Sequence, residues 1–365
     1  EIGVRLVGSE MCIRDRFLCN AAHQCLRNGD YMADTVNVAL DAMGGDNAPD
    51  EMIRGAIDAV NKAPDIHVCL VGQEEKINAF LSSCSYNREQ ISVVNATEVI
   101  ETGEHPVNAI RKKKDSSIVK ALGLVKSGEA DAFVSAGNSG AILVGGQTIV
   151  GRIKGVERPP FAPLIPTAAG VSLLLDSGAN VDARSSHLVQ WARMGSIYME
   201  NVMGVKNPRV AIVNVGVEEE KGNALVKETF PLLKECPDIN FIGSIEAREI
   251  PNGGADVIVC DAFVGNVILK LYEGVGSVLI KSVKKGLMSS LKSKIGALLI
   301  KDALKSTLKS FDASEYGGAP MLGLKGLVVK THGNAKAKEV TTSILQCRKF
   351  KEQAINDKMN EIFGK

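Results

Sequence analysis

Eight short runs rich in β-branched residues recur along this chain, and most are closed by Gly, Asp or Asn. They are VNVALDA (36–42), IHVCLVG (66–72), ISVVNA (91–96), DAFVSAG (131–137), VAIVNVG (210–216), INFIGS (239–244), DVIVCDA (256–262) and GLVVKTHG (326–333). Helical stretches lie between them, among others at 51–61, 116–127 and 223–236. Near-continuous apolar runs of this length suit strands covered on both faces, and strand–helix alternation builds βαβ units. The expected fold is α/β: a three-layer α/β/α domain around a mostly parallel sheet. Sheets of this kind bind ligands at the carboxyl ends of their strands, so the informative residues should stand just after the runs.

Four such loops carry polar chemistry. The first is Asp41-Ala42-Met43-Gly44-Gly45-Asp46-Asn47, where paired glycines admit a ligand close to the backbone and Asp46 or Asn47 can cap the helix after Pro49. The second is Ser135-Ala136-Gly137-Asn138-Ser139-Gly140-Ala141, whose free N–H groups and hydroxyls suit an anion or oxyanion. It narrowly misses the GxSxG nucleophile elbow, because Ala141 fills the last glycine position, and no His is placed in sequence to partner Ser139. On this reading Asn138→Ala should lower activity by about 10²-fold with stability nearly unchanged. The third loop runs from Asn214 to Asn223 and offers Lys221 and Asn223 among carboxylates; the fourth follows a strand with Asp261 and Asn266. Cys260, inside an apolar run, reads as buried and inert. Basic residues also occur at Arg111 to Lys114 and at Arg152, Lys154 and Arg158. Pro159, Pro160, Pro163 and Pro166 read as a connection between lobes.

Composition excludes more than it selects. With 43 basic and 42 acidic residues the net charge is +1, and aromatics are 4%, which gives no footing for a nucleic-acid partner. No GxxxxGK[ST] and no strand-following GxGxxG is present. The eight cysteines form no CxxC pair and no His-spaced metal set, so no metal and no cofactor is expected and the thiols read as reduced. No apolar run looks long enough to cross a bilayer, and the opening lacks a secretory pattern, which places the chain in the cytoplasm. Residues 1–31, which include Cys12, Cys19 and Cys25, lack strand or helix periodicity and read as a non-native or disordered extension; 32–365 read as a single catalytic domain.

Within it, Leu279, Val283, Leu287, Leu291, Ile295 and Leu299 recur every fourth position, broadened by Met288, Leu298 and Ile300. Lysines 281, 284, 285, 292, 294, 301, 305 and 309 populate the remaining sides, and Gly286 and Gly296 permit a break. The pattern predicts a projecting helical hairpin at about 275–311 whose apolar face, Leu287, Leu291, Ile295, Leu298 and Leu299, contacts an anionic membrane surface. Packing on a partner subunit and docking of an acidic carrier protein are the other readings of the same face.

Taken in order, DAMGGDNAP (41–49), SAGNSGA (135–141), GRIKGVERP (151–159), LLLDSGANVDA (173–183), HLVQWARMGSIY (187–198), NVGVEEEKGN (214–223), ADVIVCDAFVGNV (255–267) and YGGAPMLGLKG (316–326) resemble the PlsX phosphate acyltransferases of bacterial phospholipid synthesis. Ala262 stands where that family is expected to carry Gly, and Ser185-Ser186 replaces a Pro-Glu pair. The resemblance implies an isocitrate dehydrogenase-like, phosphotransacetylase-like fold and transfer of an acyl group from acyl carrier protein to inorganic phosphate. The acyl phosphate would then pass to a membrane glycerol-3-phosphate acyltransferase. With loop position, it implies catalytic roles for Lys221, Asn223, Asp261 and Asn266, and phosphate or oxyanion contacts from Ser135, Gly137, Asn138, Ser139 and Arg158. Asp41, Gly44, Gly45 and Asp46 would form a substrate loop. It also implies, with the apolar segment Leu271 to Ile280, a homodimer. An acyl-CoA phosphotransacylase and a non-catalytic membrane-surface scaffold are the competing functions.

Overall fold

The computed structural model describes residues 35–310 and 313–364, without the side chains of 306, 308–310 and 313. The expectation for residues 1–31 therefore lies outside the described residues, as do the side chain of Lys309 and the last residue of the expected hairpin. The elements run β1 (Val36–Asp41), α1 (Asp50–Lys62), β2 (Ile66–Gly72), α2 (Glu74–Leu81), β3 (Ile91–Asn95), α3 (Pro106–Lys112), α4 (Ser117–Ser127), β4 (Ala132–Ser135) and α5 (Ser139–Gly145). There follow β5 (Leu164–Thr167), β6 (Gly170–Leu175), α6 (Ser185–Asn201), β7 (Arg209–Val213), α7 (Ala224–Lys234), β8 (Asn240–Ile245), β9 (Val257–Val259) and α8 (Ala262–Leu287). The chain closes with α9 (Leu291–Leu299), α10 (Lys301–Ser310), β10 (Ala319–Pro320), β11 (Leu327–Lys330), α11 (Ala337–Glu352) and α12 (Ile355–Phe363).

All eight β-branched runs are strands, and the mixed α/β reading stands. The strands are shared between two sheets, however, ordered β10-β11-β4-β1-β2-β3 and β5-β6-β9-β7-β8, each parallel apart from one short edge strand. The proline-rich connection does join them, but its last part is itself β5. Pro166 is tolerated there because β5 is an edge strand, paired only with β6.

Alternation along the strands sorts the core. Val38, Leu40, Ala132, Val134, Leu327 and Val329 of the first sheet share one apolar cluster with Leu173, Leu175, Val210, Ile212, Val257 and Val259 of the second. Trp191 and Tyr198 of α6 and Val340 and Ile344 of α11 fill the same cluster. On its opposite face the first sheet packs Ala39, Phe133 and Val328 against Ile118 and Leu122 of α4 and Ile142 of α5. The second sheet packs Leu174, Ala211 and Ile258 with Val264, Ile268 and Leu269 of α8. Helix α1 starts on Asp50 and Glu51 and ends on Lys62, matching its dipole. Its expected side-chain cap is absent: Pro49 holds the cap position, and Asn47 bonds elsewhere.

The expected hairpin is present with different joints. The helices run unbroken through Gly286 and Gly296, and the breaks fall at 288–290, where Ser290 caps α9, and at Ile300. By length and apolarity α8 meets the requirement for a membrane span, its most apolar stretch having a mean hydropathy of 1.4, where the sequence reading saw none. Its first half is nonetheless tied to the domain: Gly265 abuts the Asp176 carbonyl, and the Tyr272 hydroxyl donates to the Pro166 carbonyl at 2.5 Å. What is free is the distal end of α8 with α9 and α10.

Candidate active site at the carboxyl ends of the strands

Strand register assembles the first part of the site. Lys330 of β11 pairs with Ser135 of β4, and continuing the β1–β4 register places Asp41 beside Ser135. All three follow the alternation of Val328, Phe133 and Ala39, so they share one face of the sheet, about 4.8 Å apart from strand to strand. The row reads cation, hydroxyl, carboxyl at the ligand-binding end of the sheet. Asp41 is fully buried; it accepts from Ser135 Oγ at 2.6 Å and from the Met43 amide at 3.2 Å. Burial pushes its carboxyl upward, opposed by hydrogen bonds from the hydroxyls of Ser117 and Ser135. Lys330 donates to the Thr331 carbonyl, and burial brings its ammonium down to about 8 against the pull of Asp41 and Asp46.

The glycine loop closes over this row. A Cβ on Gly44 would sit 2.3 Å from Asp41 Oδ2 and 2.7 Å from the Gly137 amide, so only glycine fits. Gly137 donates its amide to Ser135 Oγ at 2.9 Å. The loop is sewn to the segment after β11: the Asp46 amide donates to the Gly333 carbonyl at 2.7 Å, and Asn47 Nδ2 to the carbonyls of Asn334 and Ala335 at 3.0 and 3.2 Å. The Asp46 side chain is exposed.

Asn138 does different work from that expected. Its Oδ1 caps α5 at the Ala141 amide (3.0 Å), and its Nδ2 donates to the carbonyls of Glu101, Thr102 and Glu104 at 3.0–3.1 Å. Both ends of the amide are engaged within the protein, the oxygen in the cap of α5 and the nitrogen in holding the 101–104 loop. Ser139, next in the chain, is exposed.

The second sheet supplies three further loops. After β6, the buried carboxylate of Asp176 accepts from the amides of Phe161, Gly178, Ala179 and Asn180 and from Asn180 Nδ2, at 2.7–3.2 Å. Burial raises it, and those donors oppose the rise. After β9, Asp261 caps α8 through the Val264 amide at 2.9 Å. Cys260 is buried, and burial first, then the charges of Asp261 and Asp176, push its thiol well up, as befits an inert cysteine. After β7, Asn223 caps α7 through the Val226 amide at 2.9 Å. Lys221 is half exposed and pairs with Glu218 at 2.8 Å, which holds its ammonium above the usual range. Arg158 is exposed, and its carbonyl accepts from Trp191 Nε1 at 2.7 Å.

Helix α8 links the two edges. Glu273 on it lies 3.2 Å from Nε2 of His332, two residues beyond Lys330. Asn266 stands two turns earlier on the same helix face, half buried and with no hydrogen-bond partner among the described residues. The structure thus gathers Asp41, Gly44, Gly45, Asp46, Ser135, Gly137, Asn138 and Ser139 on one edge, and Arg158, Lys221, Asn223 and Asp261 on loops of the other, with Asn266 in the first turns of α8. Asp176, Ser117 and Lys330 escaped the sequence reading. A lysine ending an apolar strand run was the available signal for the last, and a carboxylate ending one was the signal for Asp176.

A family profile described as a fatty acid synthesis protein matches residues 36–358. A phosphate acyltransferase of Clostridium perfringens is 48% identical over 326 residues, covering 89% of this chain and 96% of the relative. One from Alkaliphilus oremlandii is 49% identical, covering 89% and 97%. Among solved structures, a phosphotransacetylase from Streptococcus pyogenes superposes with a TM-score of 0.59 at 17% identity, over 91% of this chain and 99% of that one, a likeness of fold. Profile and relatives agree over nearly all the described residues: the chain belongs to the PlsX family of phosphate acyltransferases, transferases of fatty acid and phospholipid synthesis.

Proposed function

We propose that this enzyme moves a fatty acyl group from acyl carrier protein to inorganic phosphate and releases the acyl phosphate at a membrane surface, where a glycerol-3-phosphate acyltransferase consumes it. A phosphate oxygen attacks the thioester carbonyl carbon, a C–O bond forms, and the tetrahedral oxyanion collapses with cleavage of the C–S bond. The carrier's thiolate leaves with the bonding pair and is a good enough leaving group to need no strong general acid. The chain's part is to hold phosphate and donate to the oxyanion. Among the candidate side chains, exposed Ser139 and Arg158, half-exposed Lys221 with its Glu218 partner, and half-buried Asn266 can reach substrate, while Ser135, Asn138, Asn223 and Asp261 shape the loops around it.

The observation that carries this reading is the arm. Leu291, Ile295, Leu298 and Leu299 are 55–81% exposed, Leu287 is half buried, and exposed Lys281, Lys284, Lys285, Lys292 and Lys294 flank them. Such a surface suits an enzyme whose product is a lipid and whose donor is acidic; one handling soluble CoA esters has no use for it. Nearer the domain, Leu271, Val275, Val278 and Leu279 are 58–64% exposed and form the face that a second copy of the chain covers in a homodimer. The enzyme then works in the cytoplasm, bound peripherally. Purified protein with a chelator present should convert long-chain acyl carrier protein and phosphate to acyl phosphate, at several times the rate seen with acyl-CoA. Equal or faster turnover of acyl-CoA overturns the carrier-protein assignment.

A further inference from the structure

We propose that Lys330 is a phosphate-binding residue of this enzyme, presenting its ammonium to the acceptor at the carboxyl end of the first sheet. The inference rests on the reading of inorganic phosphate as acceptor and adds to it a contact from the last strand of the chain. Three features of the row carry it. Lys330 ends β11 in register with Ser135, at the end of the sheet where α/β folds take their ligands. It stands beside the Gly44–Asp46 loop, which is tied to the segment after β11 by the bond from the Asp46 amide to the Gly333 carbonyl and, next in the chain, by that from the Asn47 side chain to the Asn334 carbonyl.

The nearby charges also fit. Asp41 faces Lys330 from β1 and Asp46 from the loop after it. Asp41 is sealed from solvent with Ser135 and the Met43 amide bonded to it, and burial disfavours its charged form. Asp46 is exposed and screened by water. A half-buried ammonium whose buried neighbour is discouraged from ionising keeps an unspent positive field, and a phosphate dianion complements it. A purely structural counter-ion would need a fully ionised partner at contact distance. Among the described residues the ammonium's hydrogen bond goes instead to a backbone carbonyl, that of Thr331.

The test is calorimetric titration of the full chain with inorganic phosphate for wild type, Lys330→Gln and Lys330→Arg, alongside KM for phosphate and for acyl carrier protein thioester. Lys330→Gln should weaken phosphate binding and raise the phosphate KM about tenfold or more, leaving the thioester KM within twofold; Lys330→Arg should stay within about threefold of wild type. Phosphate binding by Lys330→Gln equal to that of wild type overturns the proposal, as does equal loss for Gln and Arg. Absence of phosphate binding by the wild type overturns it too. The donor assay decides the broader function separately, because wild-type turnover can proceed whether or not Lys330 touches phosphate.

Discussion

At the scale of single residues, the site is built largely from side chains that face inward. Asn138 is the clearest instance. Its amide caps α5 and collects three carbonyls from a loop more than thirty positions earlier, so removing it unmakes four hydrogen bonds. Asn138→Ala should therefore destabilise the fold by on the order of 2 kcal/mol, visible as a lower Tm, with activity falling as the 101–104 loop loosens. An unchanged Tm with a hundredfold loss of turnover would instead return Asn138 to direct anion binding. The sequence marked this position as special but did not show these bonds, because an Asn after a glycine turn looks the same whether it binds a ligand or a neighbouring loop. Lys330 shows the converse. Its place beside Ser135 and Asp41 depends on pairing three strands that are nearly 100 and 200 residues apart in the chain, information that no local pattern holds.

At the scale of elements, local pattern did most of what it can. Each β-branched run became a strand, because parallel strands buried on both faces leave an unmistakable apolar record. Strand β5 was hidden by Pro166, β10, two residues long, by its brevity, and β6, GVSLLL, by having a single β-branched residue. Division of the strands into two sheets was also out of reach, since every run looks alike whichever sheet it joins. Packing between helices is fixed by small residues instead. A Cβ on Gly55 of α1 would lie 2.5 Å from Cβ of Val340 on α11, and Thr341 Oγ1 donates to the Gly55 carbonyl at 3.1 Å. Gly55→Ala, usually favourable in a helix, should here cost about 1–3 kcal/mol by forcing the two helices apart. Thermal denaturation checks the sign: a rise in Tm would mean that the α1–α11 crossing yields without strain.

At the scale of the molecule, the function proposed above gives the sheets the task of holding substrate and the arm that of meeting a surface. The arm's periodicity was legible, and its breaks were not, because Ser290 rather than a glycine sets the joint. If the distal arm meets lipid, sedimentation with anionic liposomes should retain the intact protein and lose Leu291→Glu and Ile295→Glu, with activity on soluble substrates within about twofold of wild type. Retention of both variants, or of none including wild type, counts against lipid as the arm's partner. The order of strands in the first sheet has a further consequence, which concerns synthesis on the ribosome. The strand carrying Lys330 is the last strand of the chain and inserts between β10, made just before it, and β4, made much earlier. Until it emerges, β4 stays an open edge and the glycine loop has neither its anchoring carbonyls nor its cation. On the proposal made for Lys330, a nascent or prematurely terminated chain thus lacks part of its phosphate site, and competence for turnover should arrive only with the closing strand.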